Sequence, residues 1–171
     1  WDVPTGSNIV DERWCRMLGY EPEEIENRIE QWEKLIHPED MKNTRLVLER
    51  CMRGDISYFD NEFRMKTRQG EWKWILGRGM VVSRDQYGNP LRLTGTHKDI
   101  SHQKATEHAL KKALEESEDA RNNIKAILTS MTDGLIVSDR SHHIVMINRA
   151  AQKLLDVDEK LANGRLVEEV V

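Results

Sequence analysis

Histidine and cysteine are the side chains in this sequence with the most versatile chemistry, because they can bind metals, accept phosphoryl groups or act as nucleophiles. Their spacing favours none of these uses. Cys15 and Cys51 stand far apart, without a C-x-x-C arrangement. The histidines are scattered along the chain: His37, His97, His102, His108, His142 and His143. The sequence contains no glycine-rich phosphate loop, no G-x-S-x-G elbow and no H-E-x-x-H pair. We therefore predict no catalytic and no metal-binding residue in this chain.

The individual histidines and cysteines have structural interpretations. His37 precedes Pro38 at a predicted helix start, and His97 lies on a predicted strand. The residues around His108 do not resemble the phosphoacceptor box of a histidine kinase, which argues against phosphorylation there. We interpret both cysteines as reduced, partly buried thiols of a cytoplasmic protein.

Composition and charge exclude several classes of partner. The formal net charge of −4 gives no general attraction to nucleic acid or to an anionic membrane. No apolar run approaches the roughly 20 residues that span a bilayer, so we expect no direct membrane contact. The chain begins at Trp1 rather than at Met, and we expect it to be a fragment of a longer protein.

The distribution of residue types predicts three regions. Every Trp, Tyr and Phe lies at or before Tyr87, and no Gly or Pro occurs between Thr96 and Asp133. We expect a domain over residues 1–101, a helical connector over 102–132, and a third, truncated piece over 133–171.

The first region shows turn and cap residues that predict its elements. Pro4 opens a turn between two short strands. Asp11 and Gly19 are suited to begin and end a first helix, and Pro38 and Gly54 do the same for a longer helix. Three strands then follow as a meander. This order predicts an α+β fold, an antiparallel sheet with helices on one face.

The predicted strands alternate in residue type, which assigns side chains to faces. In "YFDNEFRMKTR", Phe59, Phe63 and Met65 share one face. In "EWKWILGRGMVVSRD", Trp72 and Trp74 share a face with Leu76. The strands are separated by turns at Gln69-Gly70 and at "QYGNP".

The connector carries a narrow apolar seam with a period of 3.5 residues, which is typical of a coiled coil. Two of its members, Ser117 and Arg121, are polar and weaken its middle. We predict a homodimer through this seam; a single amphipathic helix packed on its own domain is the alternative. The seam residues are Leu110, Leu114, Ser117, Arg121, Ile124, Leu128 and Met131.

The quoted motifs together resemble a known family. "GEWKWILGRGMVVSRDQYGNPLRLTGTHKDIS" resembles the C-terminal signature of PAS sensor domains, with its G-x-W-x-W strand, D-x-x-G-x-P turn and final G-T-x-x-D-I-S. "RMLGY" and "IHPEDM" are similar to other landmarks of the same subgroup. "DGLIVSDRSHHIVMINRAAQKLL" resembles the opening of a second PAS domain, and it repeats the strand, turn, strand and helix order of the N-terminus. The stretch between them is similar to the helical linkers of bacterial signalling proteins.

The resemblance implies both a fold and a function. The fold is a five-stranded antiparallel sheet, in the strand order 2-1-5-4-3, with helices on one face. A long coiled-coil helix and a partial second PAS unit follow it. The function is a cytoplasmic sensory relay, in which Asp99, Ile100 and Ser101 join the last strand to the helix and transfer the signal. The output domain would lie beyond Val171, as a histidine kinase of a two-component system or a diguanylate cyclase.

Two other functions stay open. One is a dimerisation and interaction module without a ligand. The other is part of a PAS-type transcription regulator, which the acidic balance and the absence of a basic helix argue against.

Cofactor binding is constrained by the same resemblance. Flavin-binding PAS domains carry a Cys within an N-C-R-F-L-Q type helix, whereas Cys15 lies in "RWCRML" and Cys51 in "ERCMRG". Haem-binding members place a His on the longer helix, and "PEDMKNTRLVLERCMRG" contains none. Both a flavin adduct and a His-ligated haem are therefore disfavoured. A pocket for a small molecule stays open between the longer helix and the sheet, or the same residues simply fill the core. Its candidate lining is Val47, Cys51, Phe63, Met65, Trp74 and Leu93.

Overall fold

The computed structural model of the chain describes residues 1–171. Its backbone contacts fall into two compact units. They are Trp1–His108 and Ala109–Val171. Each is described by itself.

The helices of the first unit begin and end at the predicted cap residues. The Asp11 side chain accepts a hydrogen bond from the Trp14 amide and so caps the first helix, and Gly19 ends that helix with φ 82°. Gly54 ends the longest helix of this group with φ 86°. The helices are α1 (Glu12–Leu18), α2 (Ile29–Lys34) and α3 (Pro38–Arg53), with a short 3₁₀ turn at Pro22–Glu24.

Three antiparallel strands form the sheet: β1 (Phe59–Lys66), β2 (Trp72–Arg84) and β3 (Pro90–Asp99), in the order β1-β2-β3. The turn at Gln69 and Gly70 fixes the β1–β2 register, which pairs Phe63 with Ile75 and Arg64 with Trp74. The predicted α+β class is confirmed.

The sheet of the first unit has three regular strands rather than the five that the resemblance implies. Asp2 forms an isolated bridge with Arg92, so residues 1–3 run antiparallel to β3 in the place expected for the first strand. Ser7 forms only a bridge with Arg28. The turn between these two short segments is the physical reason that they do not form regular strands. The Asp2 amide donates to the Ser7 carbonyl across this turn, and Pro4 within it has no amide hydrogen to donate.

The two faces of the sheet differ in what covers them. The inner face packs against the helices, and its buried side chains are Phe59, Asn61, Phe63, Met65, Ile75 and Leu93. Gly77 lies beneath the Phe63 ring, where an added Cβ would come within 2.7 Å of the ring carbon Cε1. Trp72 and Trp74 stand on the outer face, together with Arg64.

A charged pair joins the start of α3 to β1. The Asp40 carboxylate accepts from the Arg64 amide at 2.8 Å and from the Arg64 guanidinium at 2.8 and 2.9 Å. These hydrogen bonds from Arg64 hold the pKa of Asp40 below its usual value, against the effect of burial. The pair fixes the helix N-terminus on the sheet, where the negative charge is also favoured by the helix dipole.

A helix of 30 residues, α4 (Ser101–Ser130), follows β3. None of its residues is buried. No helix of the structure combines the length and the apolar character needed to cross a bilayer.

The second unit repeats the predicted order of strand, turn, strand and helix. Its apolar cluster contains Ile144, Ile147, Ala151 and Ala162. The buried Asn148 caps α5 by accepting from the Ala151 amide, and it also accepts from the Leu135 amide at 2.8 Å. The elements are β4 (Ile136–Ser138), β5 (Ile144–Ile147), α5 (Arg149–Leu155), α6 (Glu159–Ala162) and a 3₁₀ turn at Val167–Glu169.

Candidate functional site

One residue, Ile100, separates the end of β3 from the start of α4, and it is 3% exposed. Its amide donates to the Trp74 carbonyl at 2.9 Å. Ser101, the first helical residue, accepts a hydrogen bond from the Trp74 amide on its Oγ at 3.0 Å. The first residues of the helix are therefore bound directly to the central strand of the sheet.

Asp99 connects the same junction to α1 through Lys73. Its carboxylate accepts from the Ser101 amide at 2.9 Å and pairs with Lys73 Nζ at 2.9 Å. Lys73 also donates to the Met17 carbonyl of α1 at 2.8 Å. Burial raises the pKa of Asp99, but the hydrogen bonds from Ser101 and Lys73 outweigh burial and hold it below its usual value. The carboxylate is thus the ionised centre of a network that spans α1, β2 and α4.

A second set of contacts holds the first turn of α4 on the outer face of the sheet. Lys104 Nζ pairs with Glu62 Oε2 at 2.6 Å and lies 5.5 Å from the centre of the Trp74 ring. The Arg64 guanidinium lies 5.4 Å from the same ring. The hydrogen bond to Glu62 raises the pKa of Lys104. The Trp74 ring therefore makes cation–π contacts with two side chains, Arg64 of the sheet and Lys104 of the helix.

Six of the seven predicted seam residues lie on α4, and Met131 follows its end. All of those on the helix except the partly buried Leu128 are exposed. Leu110 is 71% exposed and Leu114 59%, and Ile124 is 58% exposed. Ile127, outside the predicted seam, is also exposed. A row of uncovered large apolar side chains is what a helix that pairs with a second helix requires. The homodimer stays a prediction.

A cavity of about 500 Å³ lies in the first unit, among α1, α2 and the free edge of β3. Aromatic side chains form much of its wall: Trp14, Trp32 and Phe59. His97 of β3 also lines it. The Trp14 indole N–H donates to His97 Nδ1 at 2.7 Å, and the His97 ring packs against Trp32 and Phe63.

Burial of His97 among these rings lowers the pKa of its imidazole to about 4. The ring is therefore neutral near pH 7. Because Nδ1 accepts the hydrogen bond from Trp14, the single proton of the neutral ring is on Nε2.

Five of the six residues predicted to line a pocket do not line the cavity. Leu93 alone of the six lines the cavity. Cys51, Phe63 and Met65 are at most 1% exposed and belong to packed clusters, with Val47 beside Cys51. Placing Trp74 in this group is wrong, because its cross-strand partner Arg64 puts it on the outer face. That the other five residues line a ligand site stays a prediction.

Sequence reasoning missed Lys73, Lys104 and the aromatic wall beside His97. A signal was available for Lys104. The β1–β2 register follows from the Gln69-Gly70 turn, and it places Glu62 on the same face as Trp74, ready for a cation from the adjoining helix. The cavity had no comparable signal, because its wall is assembled from segments far apart in the chain.

The architecture is that of an antiparallel α+β module whose last strand continues into a long helix. A profile for the PAS fold matches residues 8–97, and a PAS-domain profile matches residues 122–171. The chain belongs to the PAS family, and it is a PAS sensor domain from a signalling protein.

Two similar proteins are a sensor protein and a probable diguanylate cyclase. Sensor protein FixL of Bradyrhizobium diazoefficiens is 28% identical over 133 residues, which are 77% of this chain and 24% of that protein. DgcE of Escherichia coli K12, described as a probable diguanylate cyclase, is 30% identical over 101 residues, 59% of this chain and 9% of that protein. The chain thus spans less than a quarter of either relative.

A solved structure shows the same fold. The sensory box histidine kinase/response regulator from Burkholderia thailandensis superposes with a TM-score of 0.61 at 28% identity. The superposition covers 70% of this chain and 87% of that chain.

Proposed function

We propose that this chain is a cytoplasmic sensory and relay module that passes a change in its PAS sheet through α4 to an output domain elsewhere in the protein. The observation that supports it best is the junction. β3 and α4 are separated by the single buried residue Ile100, and Asp99 and Ser101 bind the junction to β2. A displacement of β3 therefore acts directly on the first turn of the helix.

The helix is suited to carry such a displacement when it pairs with a second copy. A two-stranded helix pair can transmit a rotation or a change of register along its length. Exposed apolar residues lie on both sides of the polar Ser117 and Arg121, with Leu110 and Leu114 before them and Ile124 after them. In a parallel homodimer each Arg121 would face its counterpart. We infer that this repulsion keeps two packings of the pair close in free energy.

We infer the kind of output domain from the similar proteins. Similar proteins include a hybrid signal transduction histidine kinase and a probable diguanylate cyclase, so a histidine kinase and a diguanylate cyclase are both consistent outputs. Either needs two copies to be brought together in a defined geometry, which the helix pair would supply.

A ligand-free relay is the second candidate, and one observation favours it. Phe63, Met65 and Cys51, which were expected to line a pocket, fill the core instead. In this version the sheet would only set the geometry of the dimer.

Dimerisation is tested on the 171-residue chain by sedimentation. Replacing Leu114 and Leu128 with Asp places four unpaired carboxylates in the dimer seam, which costs several kcal/mol, on the order of 2 or more for each buried charge. We expect a dimer for the native chain and a monomer for the double variant. Ala126→Asp adds one carboxylate per chain on the opposite side of α4 and should leave the dimer intact. A monomeric native chain would refute the proposed pairing.

The relay is tested in the full-length protein. Ser117→Leu with Arg121→Leu should lock the kinase or cyclase activity in one state, because it makes the seam continuous. Asp119→Leu, away from the seam, is the control. An unchanged signal response in the double variant would contradict the relay.

A further inference from the structure

The side chain of Asn148, just before α5, is buried and makes four hydrogen bonds. Its Oδ1 atom accepts from the Leu135 amide at 2.8 Å and from the Ala151 amide at 2.9 Å. Its Nδ2 group donates to the Asp133 carbonyl at 2.9 Å and to the Leu128 carbonyl at 3.4 Å. A side-chain amide has two N–H donors and two acceptor positions, so Asn148 uses all of them.

Two of these four partners belong to the ends of helices. Leu128 lies in the last turn of α4, and Ala151 lies in the first turn of α5. The last four carbonyls of a helix have no amide partner within the helix, and its first four amides have no carbonyl partner. Asn148 therefore caps the C-terminal end of α4 with its nitrogen and the N-terminal end of α5 with its oxygen.

The segment between the two helices is held against α5 as well. The Asn148 amide donates to the Leu135 carbonyl at 2.9 Å, next to the start of β4. Gly134 lies directly on α5, because an added Cβ would come within 3.2 Å of the Ala151 Cα and within 3.1 Å of the Leu154 Cδ1. The last turn of α4, the start of β4 and the start of α5 are thus joined around one side chain.

The corresponding cap in the first unit lacks this connection. The Asp11 carboxylate accepts from the Trp14 amide at the start of α1, as Asn148 does from the Ala151 amide at the start of α5. A carboxylate has no N–H to donate, so it cannot bind the carbonyl of a preceding helix. An acceptor oxygen is therefore enough to cap the short helix, and the amide nitrogen of Asn148 is the part that reaches α4.

We propose that Asn148 is the positioning residue through which a movement of α4 reaches the second unit. A rotation or a change of register in the last turn of α4 displaces the Leu128 carbonyl, and with it the side chain that holds β4 and α5. Asn148 thus does at the end of α4 what Asp99, Ile100 and Ser101 do at its start. This role rests on the relay proposed above, and the two tests below separate the failure of one from the failure of the other.

Amide hydrogen exchange of the 171-residue chain tests the double cap. Asn148→Asp removes both donors and keeps the acceptors, and Asn148→Ser keeps a capping oxygen on a side chain too short to reach α4. In both variants we expect the Met131 amide, which donates to a carbonyl of the last turn of α4, to exchange about tenfold faster, since two hydrogen bonds that restrain this turn are lost. The Ala151 amide should keep its native rate. Asn163→Asp makes the same substitution at an exposed position of the second unit and should change neither rate. A native rate at Met131 in both variants, or faster exchange at Ala151 in both, would overturn the proposal.

The output activity of the full-length protein tests the coupling. Ser117→Leu with Arg121→Leu alters α4 at its seam, far from Asn148 in the chain. We expect the addition of Asn148→Asp to cancel the effect of these seam substitutions on the kinase or cyclase activity, whereas the addition of Asn163→Asp should leave that effect in place. A seam effect of equal size with and without Asn148→Asp would overturn the proposed coupling and leave the relay intact. The absence of any seam effect beside the native Asn148 would contradict the relay itself, and this role of Asn148 with it.

Discussion

Protonation of His97 should destabilise the sensor domain at moderately acidic pH. The imidazole is packed among Trp14, Trp32 and Phe63, and its Nδ1 accepts from the Trp14 indole. A proton on Nδ1 would break that hydrogen bond and bury a charge among aromatic rings. Burial accordingly lowers the pKa of His97 from 6.5 to about 4.

The sign and size of the effect follow from this difference. Between these two pH values the unfolded chain binds a proton at His97 that the folded chain does not, so the free energy of unfolding falls as the pH falls. The contribution is fully present above about pH 6.5 and is lost progressively down to about pH 4. With one pKa unit worth about 1.4 kcal/mol, the loss between pH 7 and pH 5 is about 2 kcal/mol.

Urea unfolding followed by tryptophan fluorescence measures this loss when the native chain is compared with His97→Asn. The Asn side-chain oxygen can replace Nδ1 as acceptor for Trp14, and it does not titrate. Every carboxylate that titrates in the same pH range is common to both proteins, so the difference between them isolates His97. We expect the native chain to lose about 2 kcal/mol more than the variant between pH 7 and pH 5. Parallel curves of stability against pH would refute the buried, neutral imidazole.

Two further substitutions test the sheet and the junction. Gly77→Ala would place a methyl group within 2.7 Å of the Phe63 ring, so we expect a loss of about 1–3 kcal/mol in urea unfolding, with Lys66→Ala on the exposed face as control. Lys104→Ala removes the pair with Glu62, and we expect faster amide hydrogen exchange in the first turn of α4, whereas Lys111→Ala, further along the same helix, should have no effect there. An unchanged urea midpoint for the glycine variant, or unchanged exchange for the lysine variant, would contradict the respective contact.

The elements of the sensor domain were predictable because their signals are local. Asp11 and Gly19 cap α1, and Gly54 ends α3, through backbone geometry that depends on a few neighbouring residues. The alternation in β1 likewise reports the burial of Phe59 and Phe63. Each of these features is decided within about one turn of chain, so the sequence alone contains the information.

The faces of the sheet were less predictable, because strand period defines two faces without saying which one the helices cover. Trp74 looks like a core residue by type, yet it lies on the outer face between Arg64 and Lys104. The register of the hairpin, combined with the glycine at position 77, contains the answer: the ring of Phe63 needs a partner strand without side-chain bulk. Two local signals had to be combined before the tertiary arrangement followed.

The cavity could not be predicted, for a further physical reason. His97, which lies in its wall, accepts a hydrogen bond from Trp14, which lies 83 residues earlier in the chain. The tautomer of His97 follows from that long-range contact, and burial of its ring lowers its pKa. By residue type alone His97 is one more strand residue. In the folded domain it contacts the core through Trp14, Trp32 and Phe63, lines the cavity and lies two residues before the end of β3, so a change at this one side chain acts on all three.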